Sequence, residues 1–189
     1  MALSAIALCS RALLKLGAAA ISSFDDGTAE AEVAGALYAP LRDGLLAAYP
    51  WRFATGQAEL VRLAQPPLAD FAHAFALPGD FLRALSAGGD GRGRGAHYRI
   101  AGGRLLSDAE AVTLTYLYRP AEADLPAHFD LALIARLAAE FCLPLTENSS
   151  RAETLARLAE AELKRAYAVD RQQDAPARFE DFTLVEVRR

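Results

Sequence analysis

The sequence predicts an α+β fold, mainly α: an antiparallel four-helix bundle with a small antiparallel β-rich insertion between helices 2 and 3 and a strand-like C-terminal tail. Three observations lead there. Four stretches repeat large apolar residues at three- and four-residue intervals, the period of a helix with one buried face. A middle stretch loses that period and carries Gly102-Gly103 between two short runs. After Gln173 the helical pattern stops at Pro176, and an apolar run follows. The chain divides accordingly into 1–54 (helices 1 and 2), 55–123 (insertion), 124–173 (helices 3 and 4) and 174–189 (tail).

The first helix is predicted over 4–16. Ser4 is its cap, because its hydroxyl accepts from a free first-turn N–H. Ile6, Cys9, Leu13 and Leu16 form its stripe, and Gly17 is a natural stop. The second helix is expected to begin near Asp26 or Thr28, with Asp25, Asp26, Glu30 and Glu32 at the positive end of its dipole. Val33, Leu37, Leu41 and Leu45 are its core-facing positions. Pro40 lies inside and predicts a kink; Pro50 ends the helix. Trp51 and Phe53 offer large apolar surfaces at the exit and are read as a plug for the bundle end.

Within the insertion, Gln65-Pro66-Pro67 is a breaker. Residues 73–77 read as a short strand. Residues 96–101 and 104–107 read as a hairpin, with Gly102 and Gly103 supplying the positive φ of a tight turn. Residues 112–118 alternate and form the best strand of the chain. About three strands are the minimum for a stable small sheet. Beyond them, Pro126 suits the first turn of a third helix. Its stripe is Phe129, Leu133, Leu137 and Phe141, and Pro144 stops or bends it. Ser150-Arg151-Ala152-Glu153 reads as a capping box opening a fourth. Leu155, Leu158, Ala159, Leu163, Ala166 and Tyr167 make the apolar face of that helix.

At 189 residues, with 53% hydrophobic and 23% charged residues, the chain suits one core carrying a sizeable insertion. A net charge of −4 argues against a protein whose task is to grip nucleic acid. The charge is uneven. Arg83, Arg92, Arg94, Arg99, Arg104 and Arg119 stand against only Asp90, Asp108 and Glu110 in the middle of the chain. Those arginines, Arg92, Arg94, Arg99 and Arg104 above all, are either a solvated surface or a face turned to DNA or an acidic partner. Cys9 and Cys142 lie on predicted helices among apolar neighbours and are read as buried free thiols. The start has no basic region before its apolar residues, and no apolar run is long enough for a membrane span. The protein is therefore expected to be made in a cytoplasm.

No catalytic constellation emerges, so the chain is not expected to be an enzyme and no cofactor or metal is implied. His73, His97 and His128 lie on separate elements without a nucleophile at a recognisable spacing. Asp25 and Asp26 are adjacent, which suits a turn and helix start rather than an acid–base pair. Gly88-Gly89-Asp90-Gly91-Arg92-Gly93-Arg94-Gly95 precedes a hairpin instead of a helix and lacks the Lys-Ser or Lys-Thr of a phosphate loop. It is read as a mobile loop. The tail is the odd piece. Phe179 and Phe182, with Leu184, Val185 and Val187, make a run apolar on both faces. A lone strand leaves its backbone unpaired. It either folds back onto its own sheet or adds to a neighbour's edge.

Ile21-Ser22-Ser23-Phe24-Asp25-Asp26-Gly27-Thr28, then Tyr49-Pro50-Trp51-Arg52-Phe53-Ala54, then Leu77-Pro78-Gly79-Asp80-Phe81-Leu82-Arg83 occur in that order. In these segments, and in the order of helices and insertion around them, the chain resembles the tail tubular protein A family. Its members are head-to-tail adaptors of short-tailed bacteriophages. The resemblance implies a structural protein of the virion neck, assembled in the host cytoplasm. It implies a ring, typically of twelve copies, between the portal protein and the tail nozzle protein. Genomic double-stranded DNA would pass through its lumen without sequence-specific binding, and no membrane would be involved. Such rings need strapping between subunits or onto the portal, which favours the tail as a partner-binding strand. Two other readings stand beside this one: a cellular helical scaffold or interaction module, and a hydrolase acting on surface polysaccharide.

Overall fold

The computed structural model describes residues 3–89 and 92–173. It contains four α-helices and two three-stranded antiparallel sheets. The expected four-helix bundle with one small insertion is therefore wrong. The strand-bearing part is a second structural body with its own core, and the helices gather around α3 rather than forming a regular bundle. The anticipated tail strand lies outside the described residues.

Helix α1 (Ala5–Lys15) begins where the Ser4 hydroxyl accepts from the Ala7 N–H at 3.2 Å. It ends before Gly17, whose φ of +73° is left-handed. Helix α2 (Ala29–Ala48) is capped by Thr28, which accepts from the Ala31 N–H at 3.2 Å. It continues through Pro40. Its buried line is Ala31, Ala34, Tyr38 and Leu46, so the stripe expected at Val33, Leu37, Leu41 and Leu45 flanks the interface and stays half-buried. Small residues at the centre let α2 lie close to its neighbours.

Helix α3 (Ala127–Thr146) is the hub. It packs on α1, α2 and α4, and Phe129, Leu133, Leu137 and Phe141 are fully buried. Pro144 neither stops it nor ends its last turn. Helix α4 (Ser149–Arg171) starts earlier than the capping box suggests. The Asn148 side chain accepts from the Arg151 N–H at 2.9 Å, which places the cap two residues ahead of Ser150. On α4, Ala159 and Ala166 are buried, whereas Leu158 is 57% exposed and leaves the expected apolar face. Among the described residues no helix is long and apolar enough to cross a membrane.

The first sheet has the order β1-β6-β3, with β1 (Thr55–Glu59) and β3 (Phe81–Gly88) flanking β6 (Thr113–Tyr118). The second has the order β2-β5-β4, with β2 (His73–Ala76), β5 (Arg104–Ser107) and β4 (Tyr98–Ala101). The β4–β5 hairpin turns at Gly102 (φ +56°) and Gly103 (φ +70°), as its glycine pair predicts. The sequence leaves β1 and β3 unmarked. Thr-Gly-Gln-Ala-Glu has little intrinsic strand preference, and β3 carries two register shifts against β6. Both are held by pairing with β6, a case of context overriding propensity. The sheets share an apolar core of Leu60, Phe75, Ala87, Leu105, Val112, Leu114 and Tyr116.

Candidate functional site

The three segments that carry the family resemblance sit at the joints of the fold. In the first, Ser10 clasps Ile21: its hydroxyl donates to the Ile21 carbonyl at 2.9 Å and accepts from the Ile21 N–H at 3.2 Å. Asp26 then closes the loop by accepting from the N–H groups of Ser22 (2.7 Å) and Ser23 (3.1 Å). Those donors lower its pKa. Phe24 lies against the open side of Gly35 and near the Tyr38 ring. The pair Asp25-Asp26 thus belongs to a turn.

In the second segment, Trp51 is fully buried. Its indole N–H donates to the Leu45 carbonyl at 2.9 Å, and its ring meets Tyr49, Phe53, Phe129 and Tyr167. Behind this cluster Asp170, at the end of α4, is buried completely. Both its carboxylate oxygens accept from the Arg52 N–H at 3.1 Å. His128 Nε2 lies 3.9 Å from Asp170, too far for a hydrogen bond. Burial lowers the His128 pKa, and the Asp170 charge only partly opposes this. Arg52, Phe53, Pro126, His128, Asp170 and Gln173 line a hollow of about 370 Å³.

The third segment joins the two cores. Phe81 packs on Tyr116 in the strand core, and Leu82 reaches the helical core. The Asp80 carbonyl accepts from the Arg119 N–H at 2.9 Å, and its carboxylate accepts from the Tyr116 hydroxyl at 3.2 Å. Arg119 in turn grips Asp43 of α2 at 2.6 Å. Asp43 also pairs with Arg42, and Arg42 with Glu122 at 2.5 Å. The Tyr38 hydroxyl donates to the same Glu122 oxygen at 3.2 Å. Burial alone would raise the Asp43 and Glu122 carboxyls, but the hydrogen bonds and charges around them outweigh it, and both pKa values fall.

The four predicted arginines separate. Arg99 is engaged: it bonds Asp70 at 2.8 Å and stands over the Phe71 ring. Arg104 begins β5, exposed at the hairpin tip. Arg92 and Arg94 lie on the glycine-rich loop, which passes over the β1-β6-β3 sheet. Ser86 and Thr115 donate to the Gly93 carbonyl at 2.6 and 3.2 Å. Gln57 donates to Thr115 at 3.1 Å. The mobile loop read from its glycines is, at Gly93, pinned to the sheet. Gln57, Ser86, Arg92, Gly93, Arg94, Gly95 and Thr115 line a concavity of about 840 Å³. The five tail residues expected to bind a partner lie outside the described residues.

The remaining reactive groups stay apart. His73 faces Glu110 at 3.5 Å, His97 lies by Phe71, and His128 by Asp170. Cys9 and Cys142 are buried and unbridged, and burial pushes the Cys9 thiol up to about 12. Among the described residues no cluster of His, Cys, Asp or Glu is placed to hold a metal ion. Sequence reasoning missed Asp170 and the Asp43–Arg119 clamp. Each pairs positions far apart in the chain, and no local pattern marks either. Compared with family models and with curated proteins, the chain matches none. The likeness to tail tubular protein A rests on residues 21–26, 49–54 and 77–83 themselves.

Proposed function

We propose that this chain is the ring-forming head-to-tail adaptor of a short-tailed bacteriophage, joining portal to tail nozzle and leaving a passage for the genome. One observation carries the reading. The three short segments that resemble the tail tubular protein A family are the segments that fix the α1–α2 connection, the exit of α2, and the join between helical and strand cores. Segments that build the joints of the fold suit a protein whose function is its shape. Leu14 on α1, Leu131 and Leu143 on α3 and Leu158 on α4 are each more than half exposed. They offer apolar surface to neighbouring subunits. A head-to-tail contact closes into a ring when its rotation fits.

The test is direct. The purified protein, alone and mixed with the portal of its own phage, is sized by light scattering and imaged by electron microscopy. The expected result is a ring stacked coaxially on the portal. A protein that remains monomeric and leaves the portal bare overturns the proposal.

A further inference from the structure

Arginine is the side chain best shaped to meet a phosphate, because its guanidinium presents a planar fork of donors. Several arginines of this chain are already paired with carboxylates. Arg62 bonds Glu110 at 2.7 Å, Arg99 bonds Asp70 at 2.8 Å, and Arg119 bonds Asp43 at 2.6 Å. Arg92 and Arg94, like Arg104 at the hairpin tip, are not among them, and they alone of these three stand two residues apart on one loop. Both are exposed, and neither has an acidic partner among the described residues.

Their place is set by the sheet beneath them. The Gly93 carbonyl is the acceptor that would repel an anion between the two arginines. It is occupied by the hydroxyls of Ser86 and Thr115. Two glycines allow this approach. A Cβ on Gly93 would stand 2.7 Å from Gln57 Nε2 and closer still to the Thr115 hydroxyl. A Cβ on Gly88 would run into the backbone of Arg92 and Arg94. The loop is therefore fitted to the strands, and the bases of the two guanidinium side chains are held two residues apart, at most about 7 Å.

Among the described residues, no carboxylate lines the 840 Å³ concavity on one side of the arginines. None lines the 600 Å³ hollow on the other, formed by Gly89, Arg92, Arg94, Gly95, Ala96 and Ala109. The described lining groups are polar side chains, glycines and two alanines on an open surface, which suits a backbone running past rather than an enclosed small molecule.

We propose that Arg92 and Arg94, carried by Gly93 on the β1-β6-β3 sheet, form a contact site for the phosphodiester backbone of duplex DNA. The choice of duplex DNA rests on the adaptor reading; the assignment of phosphate rests on the charges and their setting. Two cations on a chain of net charge −4 make a weak contact. Weakness is what a passage requires, and a ring repeats the contact around its axis.

The experiment uses the full chain and a fluorescein-labelled 30-base-pair duplex of arbitrary sequence, read by anisotropy across a chloride series. Arg92→Ala/Arg94→Ala should weaken binding at low salt by about tenfold and flatten the salt slope by about two, one for each phosphate released. Arg92→Lys/Arg94→Lys should keep most of the slope, and Arg165→Ala all of it. Gly93→Ala keeps both charges but lifts the loop, and should weaken binding as well. An unchanged slope in the double alanine variant, or no duplex binding by the wild type, overturns the site. So does displacement of the duplex by inorganic phosphate beyond that of chloride at equal ionic strength, which marks a free-anion site instead. The adaptor proposal fails separately. Rings that ignore duplex DNA sink this inference alone, and duplex binding without rings sinks only the adaptor.

Discussion

Asp170 shows how one buried residue can hold a fold together without any mark in the sequence. Its carboxylate is fully buried at the last turn of α4 and accepts the Arg52 N–H. That bond crosses 118 residues of sequence and fastens the α2 exit to the far end of the chain. Asp170→Ala removes the charged acceptor of this half-buried bond and should cost about 1–3 kcal/mol, seen as a lower urea midpoint. Asp170→Asn keeps an accepting oxygen and should cost less. No loss in the alanine variant would mean that water or another group replaces the carboxylate. The 24 acidic residues of the chain offer no local sign that singles out this one. By contrast, the Ser4 cap and the Gly102-Gly103 turn were legible, because a cap and a tight turn depend on neighbours a few residues away, whereas the start of α2 was read as Asp26 or Thr28 and is capped by Thr28.

At the scale of elements, helices were easier to read than strands. The α3 stripe of Phe129, Leu133, Leu137 and Phe141 is buried as its spacing predicts. The strands β1 and β3 were not legible, because β6 supplies the pairing that their own residues do not call for. The missed β1 and β3 turned two sheets into one small insertion at the sequence level. The join between the helical and strand elements was equally hidden, since it is made by charges in α2 meeting charges beyond β6. Arg119 grips Asp43 bidentately, the arginine exposed and the aspartate half-buried. A double-mutant cycle on Asp43→Ala and Arg119→Ala should give a coupling of about 1 kcal/mol. The pH dependence follows in sign. The Asp43 and Glu122 carboxyls titrate lower in the folded protein. Their contribution is complete above the unfolded values, near 4, and is lost as pH falls through the folded ones. His128 acts in the same direction from higher pH. Its folded pKa is depressed, so its contribution is full above about 6.5 and declines as pH drops below. Thermal melts between pH 7 and pH 3 should show the wild type losing its advantage over Asp43→Ala only at the acid end. A constant gap across that range would remove the clamp from the pH response.

For the whole molecule, the sheets leave open work for a partner. Among the described residues, the outer edges of β1 and β4 have no backbone partner. β4 is short and largely exposed. Unpaired edges are templates for an added strand. The run Phe179, Phe182, Leu184, Val185 and Val187 has the composition of such a strand, at the end of the chain, and is the adaptor's proposed strap to a neighbour. Deleting 179–189 separates the strap from the body. Ring formation and portal docking should fall sharply, by sedimentation and by micrograph. Adding the 179–189 peptide in excess to the full chain should then compete for the open edges and shift rings toward smaller species. Rings and docking that survive the deletion intact would leave the exposed helical residues Leu14, Leu131, Leu143 and Leu158 to make the subunit contacts by themselves.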